Sequence, residues 1–131
     1  MTITLSPNPV ETLAHDLVSK CRLGQFEEAK HAHYAPTIVS IEATEMPGFP
    51  SEIHGLDAVI AKGQHWAANT EVHQMAVSDP LVAGAQFAVK FTMDVTCKMT
   101  NQRNVMEEIG LYHVENGKIV REQFFYNQCQ G

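Results

Sequence analysis

NVMEEIGLYHVENGKIVREQFFYN, residues 104–127, is the stretch that says most about the architecture. Asn116-Gly117 stands between two runs in which side chains alternate in character. Asn-Gly suits the two positive-φ positions of a type I′ turn, so the stretch predicts a hairpin, 104–114 outward and 118–127 back. The outward strand is apolar on both faces. Val105, Ile109 and Leu111 share one, and Met106, Tyr112 and Val114 the other. An antiparallel strand with one solvated face should not look like this. The expected explanation is that helices cover one face and a second copy of the chain covers the other, giving a homodimer packed sheet on sheet.

Working upstream, GAQFAVKFTMDVTCKM (84–99) has the same period of two. Phe87, Val89, Phe91, Met93 and Val95 fall on one face, and Lys90, Thr92, Asp94 and Thr96 on the other. TNQR turns this strand into the hairpin. EVHQMAVSD (71–79) is a further strand, closed by the turn signal Asp79-Pro80. Before residue 70 the period changes to that of helices. Val10, Leu13, Leu17, Val18 and Cys21 recur at helical spacing after Asn8-Pro9, and Gly24 closes that helix. GQFEEAKHAHYA predicts a short second helix with Phe26, Ala29 and Ala32 or His33 inward, stopped by Pro36. TIVSIEATE (37–45) reads as a strand and MPGFPSEIHG as a loop. LDAVIAKGQHWAAN reads as a third helix with Leu56, Val59, Ile60, Gly63 and Trp66 along one stripe. Three helices with one strand among them, followed by four meandering strands, make an α+β layer fold with a mostly antiparallel sheet.

The 131 residues suit one domain, 1–131, with residues 1–8 as a loose arm. The 44% hydrophobic and 18% charged shares are those of an ordinary globular chain. A net charge of −6 and nine scattered Lys and Arg argue against nucleic acid and against anionic membranes as partners. No apolar run approaches the roughly 20 residues of a membrane span. MTITLSPNPVETL lacks the basic-then-apolar pattern of a secretory signal. Cys21, Cys97 and Cys129 are odd in number and far apart, which fits reduced thiols, so the expected location is the cytoplasm.

Three stretches carry a resemblance: YAPTIVSIEA (34–43), Ile53-His54-Gly55 leading into the third helix, and ENGKIVREQFFY (115–126). With the element order, they make the chain from about residue 9 to 127 resemble the SnoaL-like proteins of the nuclear-transport-factor-2-like superfamily, which also includes ketosteroid isomerase. The resemblance implies a curved sheet wrapped around the helices, a cone with one deep and mostly apolar pocket, and in many members a homodimer. It puts Glu42 where the isomerases carry their base. The isomerases' acidic oxyanion donor has Gly110 as its counterpart, with Glu108 two residues earlier on the same face. Their catalytic Tyr falls near Leu17, and the acid–base Asp of SnoaL-type cyclases falls on Phe124. Neither catalytic set is complete in this chain.

The candidate catalytic residues are therefore Glu42, Glu122 and Glu108. Glu42 faces the side opposite Ile41. Glu122 shares a face with Val120, Phe124 and Tyr126, so on a pocket wall it would sit among aromatics and its pKa would rise into the range of a general acid or base. Paired carboxylates split their pKa values, which would supply one acid and one base. His54, Trp66, His73, Tyr112, Phe124 and Tyr126 are the candidate substrate-binding residues, a pocket-wall His serving as orienter or shuttle. His31 and His33 are two apart on a helix and point in different directions, and the spacings hold no metal set. GxGxxG and Walker patterns are absent, so no cofactor is expected. The expected ligand is a small apolar carbonyl compound. The expected chemistry is isomerisation, cyclisation or dehydration by carboxylate acid/base catalysis. A non-catalytic module that binds an apolar ligand, or one that mainly dimerises, fits the same residues.

Overall fold

The computed structural model describes residue 3 and residues 8–127. The remainder of the expected N-terminal arm, and Cys129, lie outside the described residues. Helix α1 (Pro9–Arg22) begins where the side chain of Asn8 accepts a hydrogen bond from the Val10 amide at 3.0 Å. Pro9 in the first turn has no amide to leave unpaired. Leu13, Ala14, Leu17, Val18 and Cys21 form its buried stripe. Gly24, at φ +74°, ends it and leads into α2 (Phe26–His33).

β1 (Tyr34–Ile41) follows α2 without a loop. Pro36 therefore does not stop the helix, as the sequence suggests; the helix ends at His33 and Pro36 lies inside the strand. It is tolerated because the pairing of β1 with its parallel neighbour shifts register between Tyr34 and Val39. Pro36 is exposed there, and its missing N–H breaks no ladder. Within the expected loop 46–55 the chain forms β2 (Glu52–His54), antiparallel to the end of β1. Glu42–Glu45 lie past the end of β1, although the Glu42 amide still donates to the Ser51 carbonyl at 2.8 Å.

α3 (Leu56–Asn69) starts after Gly55, whose φ of +95° suits a residue without a side chain. Then come β3 (Thr70–Val77), a short β4 (Leu81–Ala83) that the sequence did not signal, β5 (Gln86–Cys97), β6 (Gln102–Glu115) and β7 (Lys118–Phe125). Asn116 and Gly117 both have positive φ, 52° and 76°, as the Asn-Gly turn predicts. The sheet order is β2-β1-β7-β6-β5-β3, with β4 added beside β5. All pairs are antiparallel except β1 with β7.

Phe87, Val89, Phe91, Met93 and Val95 are all buried against the helices, as the alternation of β5 requires. The opposite face carries exposed Val105, Ile109, Leu111 and Phe125. Bulges interrupt β1, β3 and the β6–β7 ladder. Each bends its strand and adds twist, which curves the sheet over the helices. The bulge in the last hairpin also corrects a face assignment. It shifts register between His113 and Val114, so Ile119 rather than Val120 points inward, and Glu122 still does.

Candidate active site

Between the helices and the inner face of the sheet lies a cavity of about 500 Å³. Its wall is mostly apolar, with Leu17, Val59, Ile60, Trp66, Phe91, Met93 and Phe124 among its residues. Glu42, Glu108 and Glu122 line it together with Lys30, Lys62, Tyr34 and Tyr112.

Glu122 is the most deeply placed carboxyl, at 2% exposure. β1 and β7 set Ser40 directly beside it, and Tyr112 is its neighbour on β6. The Tyr34 hydroxyl donates to Oε1 of Glu122, and the Ser40 hydroxyl donates to Oε2 at 2.7 Å. Lys62, itself buried, donates to Ser40 Oγ at 2.8 Å and to Glu42 Oε1 at 2.7 Å. The Tyr126 hydroxyl donates to the other Glu42 oxygen at 2.9 Å. One chain of hydrogen bonds thus runs Tyr34–Glu122–Ser40–Lys62–Glu42–Tyr126. Burial pushes the Glu122 pKa up, opposed by the Tyr34 hydrogen bond, the Lys62 charge and the Ser40 hydrogen bond. Burial also raises the Tyr34 phenol well above its ordinary range, reinforced by the Glu122 charge. The phenol therefore stays protonated and keeps donating. The Glu42–Lys62 pair is nearly as well shielded, with side chains 13% and 8% exposed.

Glu108 differs. Among the described residues its carboxyl makes no side-chain hydrogen bond or ion pair. Burial pushes its pKa up to about 7, and the Glu42 and Glu122 charges add to this while Lys62 opposes it. Tyr112 also has no hydrogen-bond partner among the described residues. Its ring stacks on Phe87 at 4.8 Å between centroids and meets Phe124 edge-on at 6.3 Å. Burial holds its phenol well above the usual range, so it remains a donor.

Gly110 explains the gap in the isomerase-like pattern. A Cβ there would stand 3.0 Å from the Tyr112 ring and 3.1 Å from that of Phe124. Two aromatic rings occupy the space an acidic side chain would need.

Of the residues singled out from sequence, Glu42, Glu108, Glu122, Trp66, Tyr112 and Phe124 meet at the cavity, and Tyr126 reaches it through Glu42. Two histidines stand elsewhere, a correction to the sequence reading. His54 is exposed and pairs with Glu52 at 3.0 Å, because alternation along β2 sends Ile53 inward and His54 outward. His73 sits at the bulge of β3 and bonds the Thr96 hydroxyl at 2.7 Å, away from the cavity.

Four polar residues of the site were not foreseen: Lys62, Lys30, Ser40 and Tyr34. Lys62 lies three residues after Val59 and four before Trp66, so a lysine on the apolar stripe of α3 was a readable signal. Lys30 lies four after Phe26 on the inward side of α2. Ser40 shares the inner face of β1 with Ile38. Tyr34 falls in a stretch whose pattern predicts helix, whereas the structure places it at the start of β1.

The SnoaL-like domain family model matches residues 10–126. The chain belongs to the SnoaL-like domain family. A protein of Mesorhizobium loti whose name proposes a SnoaL-like polyketide cyclase is 41% identical and superposes with a TM-score of 0.85 over 89% of this chain and 98% of its own. An NTF2-like protein of unknown function from Burkholderia pseudomallei superposes with a TM-score of 0.74 at 18% identity, over 92% of each chain. A protein of Rhodopseudomonas palustris whose name proposes an isomerase gives 0.66 at 14% identity, over 92% and 90%. No curated protein matches in sequence. The SnoaL-like chain thus has the α+β cone of its superfamily, an unclosed curved sheet around three helices.

Proposed function

We propose that this SnoaL-like chain is an enzyme that moves a proton on a small, largely apolar carbonyl compound, in an isomerisation, cyclisation or dehydration. Glu108 takes the proton α to the carbonyl, and the Tyr112 hydroxyl donates a hydrogen bond to the oxygen as enolate charge develops. Lys62, Glu42, Ser40 and Glu122 hold one another and set the field around Glu108. The observation that carries this reading is that a carboxyl and a hydroxyl with no side-chain partner among the described residues line the same apolar cavity. A pKa of about 7 suits Glu108 to exchange protons near neutral pH.

The test is proton exchange at carbon 1 of 2-tetralone in deuterated water, followed by proton NMR. The wild-type chain should catalyse exchange, with a rate that rises through pH 7 as Glu108 ionises. Glu108→Gln should lower it by about 10²–10⁴-fold, the usual contribution of a positioned base. Equal rates in the two proteins would remove Glu108 from the mechanism.

A second reading, a non-catalytic binder of apolar ligands, draws on one observation. Glu42 and Glu122 already have internal partners, so two of the three carboxyls act as structural anchors. The exchange assay separates the readings. We also propose that exposed Val105, Ile109, Leu111 and Phe125 on the outer sheet face pack against a second copy.

A further inference from the structure

We propose that Lys30 is a nucleophilic amine that condenses with the ketone or aldehyde carbon of the ligand to form a Schiff base. The proposal rests on the carbonyl-substrate reading above and adds a covalent step to it. Lys30 stands on the inward side of α2 and its side chain lines the cavity. Among the described residues its ammonium makes no side-chain hydrogen bond and no ion pair, whereas Tyr34, Ser40, Glu42, Lys62 and Glu122 are all paired. Its nitrogen lies against Gly63 on α3, where a Cβ would overlap it. A glycine in the middle of a helix is less favourable than alanine. At Gly63 the bare backbone makes the room through which the amine reaches the cavity.

Burial lowers the Lys30 pKa. Of the charged and titratable groups that face it, Glu122, Cys21 and Glu27 oppose this and Lys62 adds to it. A lysine desolvated in an apolar pocket beside another cation is a known way to obtain an amine nucleophile near neutral pH.

The step balances without an oxidant or reductant. The nitrogen lone pair attacks the carbonyl carbon and a C–N bond forms. The oxygen takes a proton to give a carbinolamine, and the nitrogen loses one. The nitrogen lone pair then expels the hydroxyl group, which leaves as water with a second proton supplied by an acid in the cavity. Glu108 is the unpaired group able to supply it. The products are a protonated imine and one water. The positive imine withdraws electrons from the α carbon more strongly than the ketone did, so the α proton is easier for Glu108 to remove.

The experiment is to incubate the full chain with pentane-2,4-dione, follow the near-ultraviolet band of the enaminone, and locate the adduct by peptide mass spectrometry. One adduct on Lys30 is expected, formed faster than any on exposed Lys90 and Lys98 of the same sample. Lys30→Arg should lose the fast phase of the band while circular dichroism stays unchanged. Gly63→Ala is a second variant that keeps the lysine and favours the helix. Its new methyl group would push the amine aside and slow the reaction. Absence of a Lys30 adduct, or a Lys30 rate no greater than that of Lys90 and Lys98, overturns the proposal. The two readings fail separately. No adduct together with loss of tetralone exchange in Glu108→Gln removes only the amine. A Lys30 adduct together with unchanged exchange in Glu108→Gln removes only the Glu108 base.

Discussion

Replacing Glu108 by Gln should make the protein more stable at alkaline pH. The carboxyl faces a largely apolar cavity, and its pKa is raised from 4.5 to about 7. The folded state therefore holds the Glu108 proton more tightly than the unfolded chain does. The resulting stability is fully present below pH 4.5, falls as pH rises, and is lost above about 7. At about 1.36 kcal/mol per pKa unit, the loss amounts to at most about 3 kcal/mol. Gln has nearly the same shape and no charge to desolvate. Urea unfolding of both proteins at pH 4 and pH 8 would measure the effect. The difference in stability between variant and wild type should move in favour of Gln by up to about 3 kcal/mol between the two pH values. With a slope of about 1.5 kcal/mol per molar urea, the midpoint difference changes by up to about 2 M. Parallel pH dependence in the two proteins would mean that Glu108 titrates as it does in the unfolded chain. The stability forgone at neutral pH is what a base in an apolar cavity requires.

Tyr34→Phe removes one of the two hydroxyl donors to the buried Glu122 carboxylate and should destabilise the fold by roughly 1–3 kcal/mol by urea titration at pH 7. Gly110→Ala places a methyl group against the Tyr112 and Phe124 rings, and overpacking should lower stability by about 1–3 kcal/mol and alter near-ultraviolet circular dichroism. Ile109→Asp, in the middle of the outer apolar face and opposite Phe125, should convert a dimer to a monomer by light scattering without changing the far-ultraviolet spectrum. A wild-type chain that is already monomeric at working concentration would remove the dimer proposal.

Local patterns account for much of the architecture. The alternation of β5 and the Asn116-Gly117 turn need only neighbouring residues to be read, and the structure follows both. The caps of α1 are equally local. The candidate carboxylates were legible for a related reason. Glu42, Glu108 and Glu122 each occupy a position whose alternation points it to the inner face of the sheet. The histidines were not, since the direction of His54 depends on β2, a strand too short to leave a period, and that of His73 on a bulge.

Sequence alone was enough to assign the faces of β5 and β6 and the turn of the last hairpin. These are properties of period and turn chemistry, decided within a few residues of chain. Packing in three dimensions set Lys62 from α3 between Ser40 and Glu42 of the first strand segment, brought Tyr34 onto Glu122 from 88 positions away, and laid Lys30 against Gly63. It also left Glu108 without a side-chain partner among the described residues. The physical reason is that desolvation and hydrogen bonding depend on distance in space, and the bulges and the curvature of the sheet set those distances.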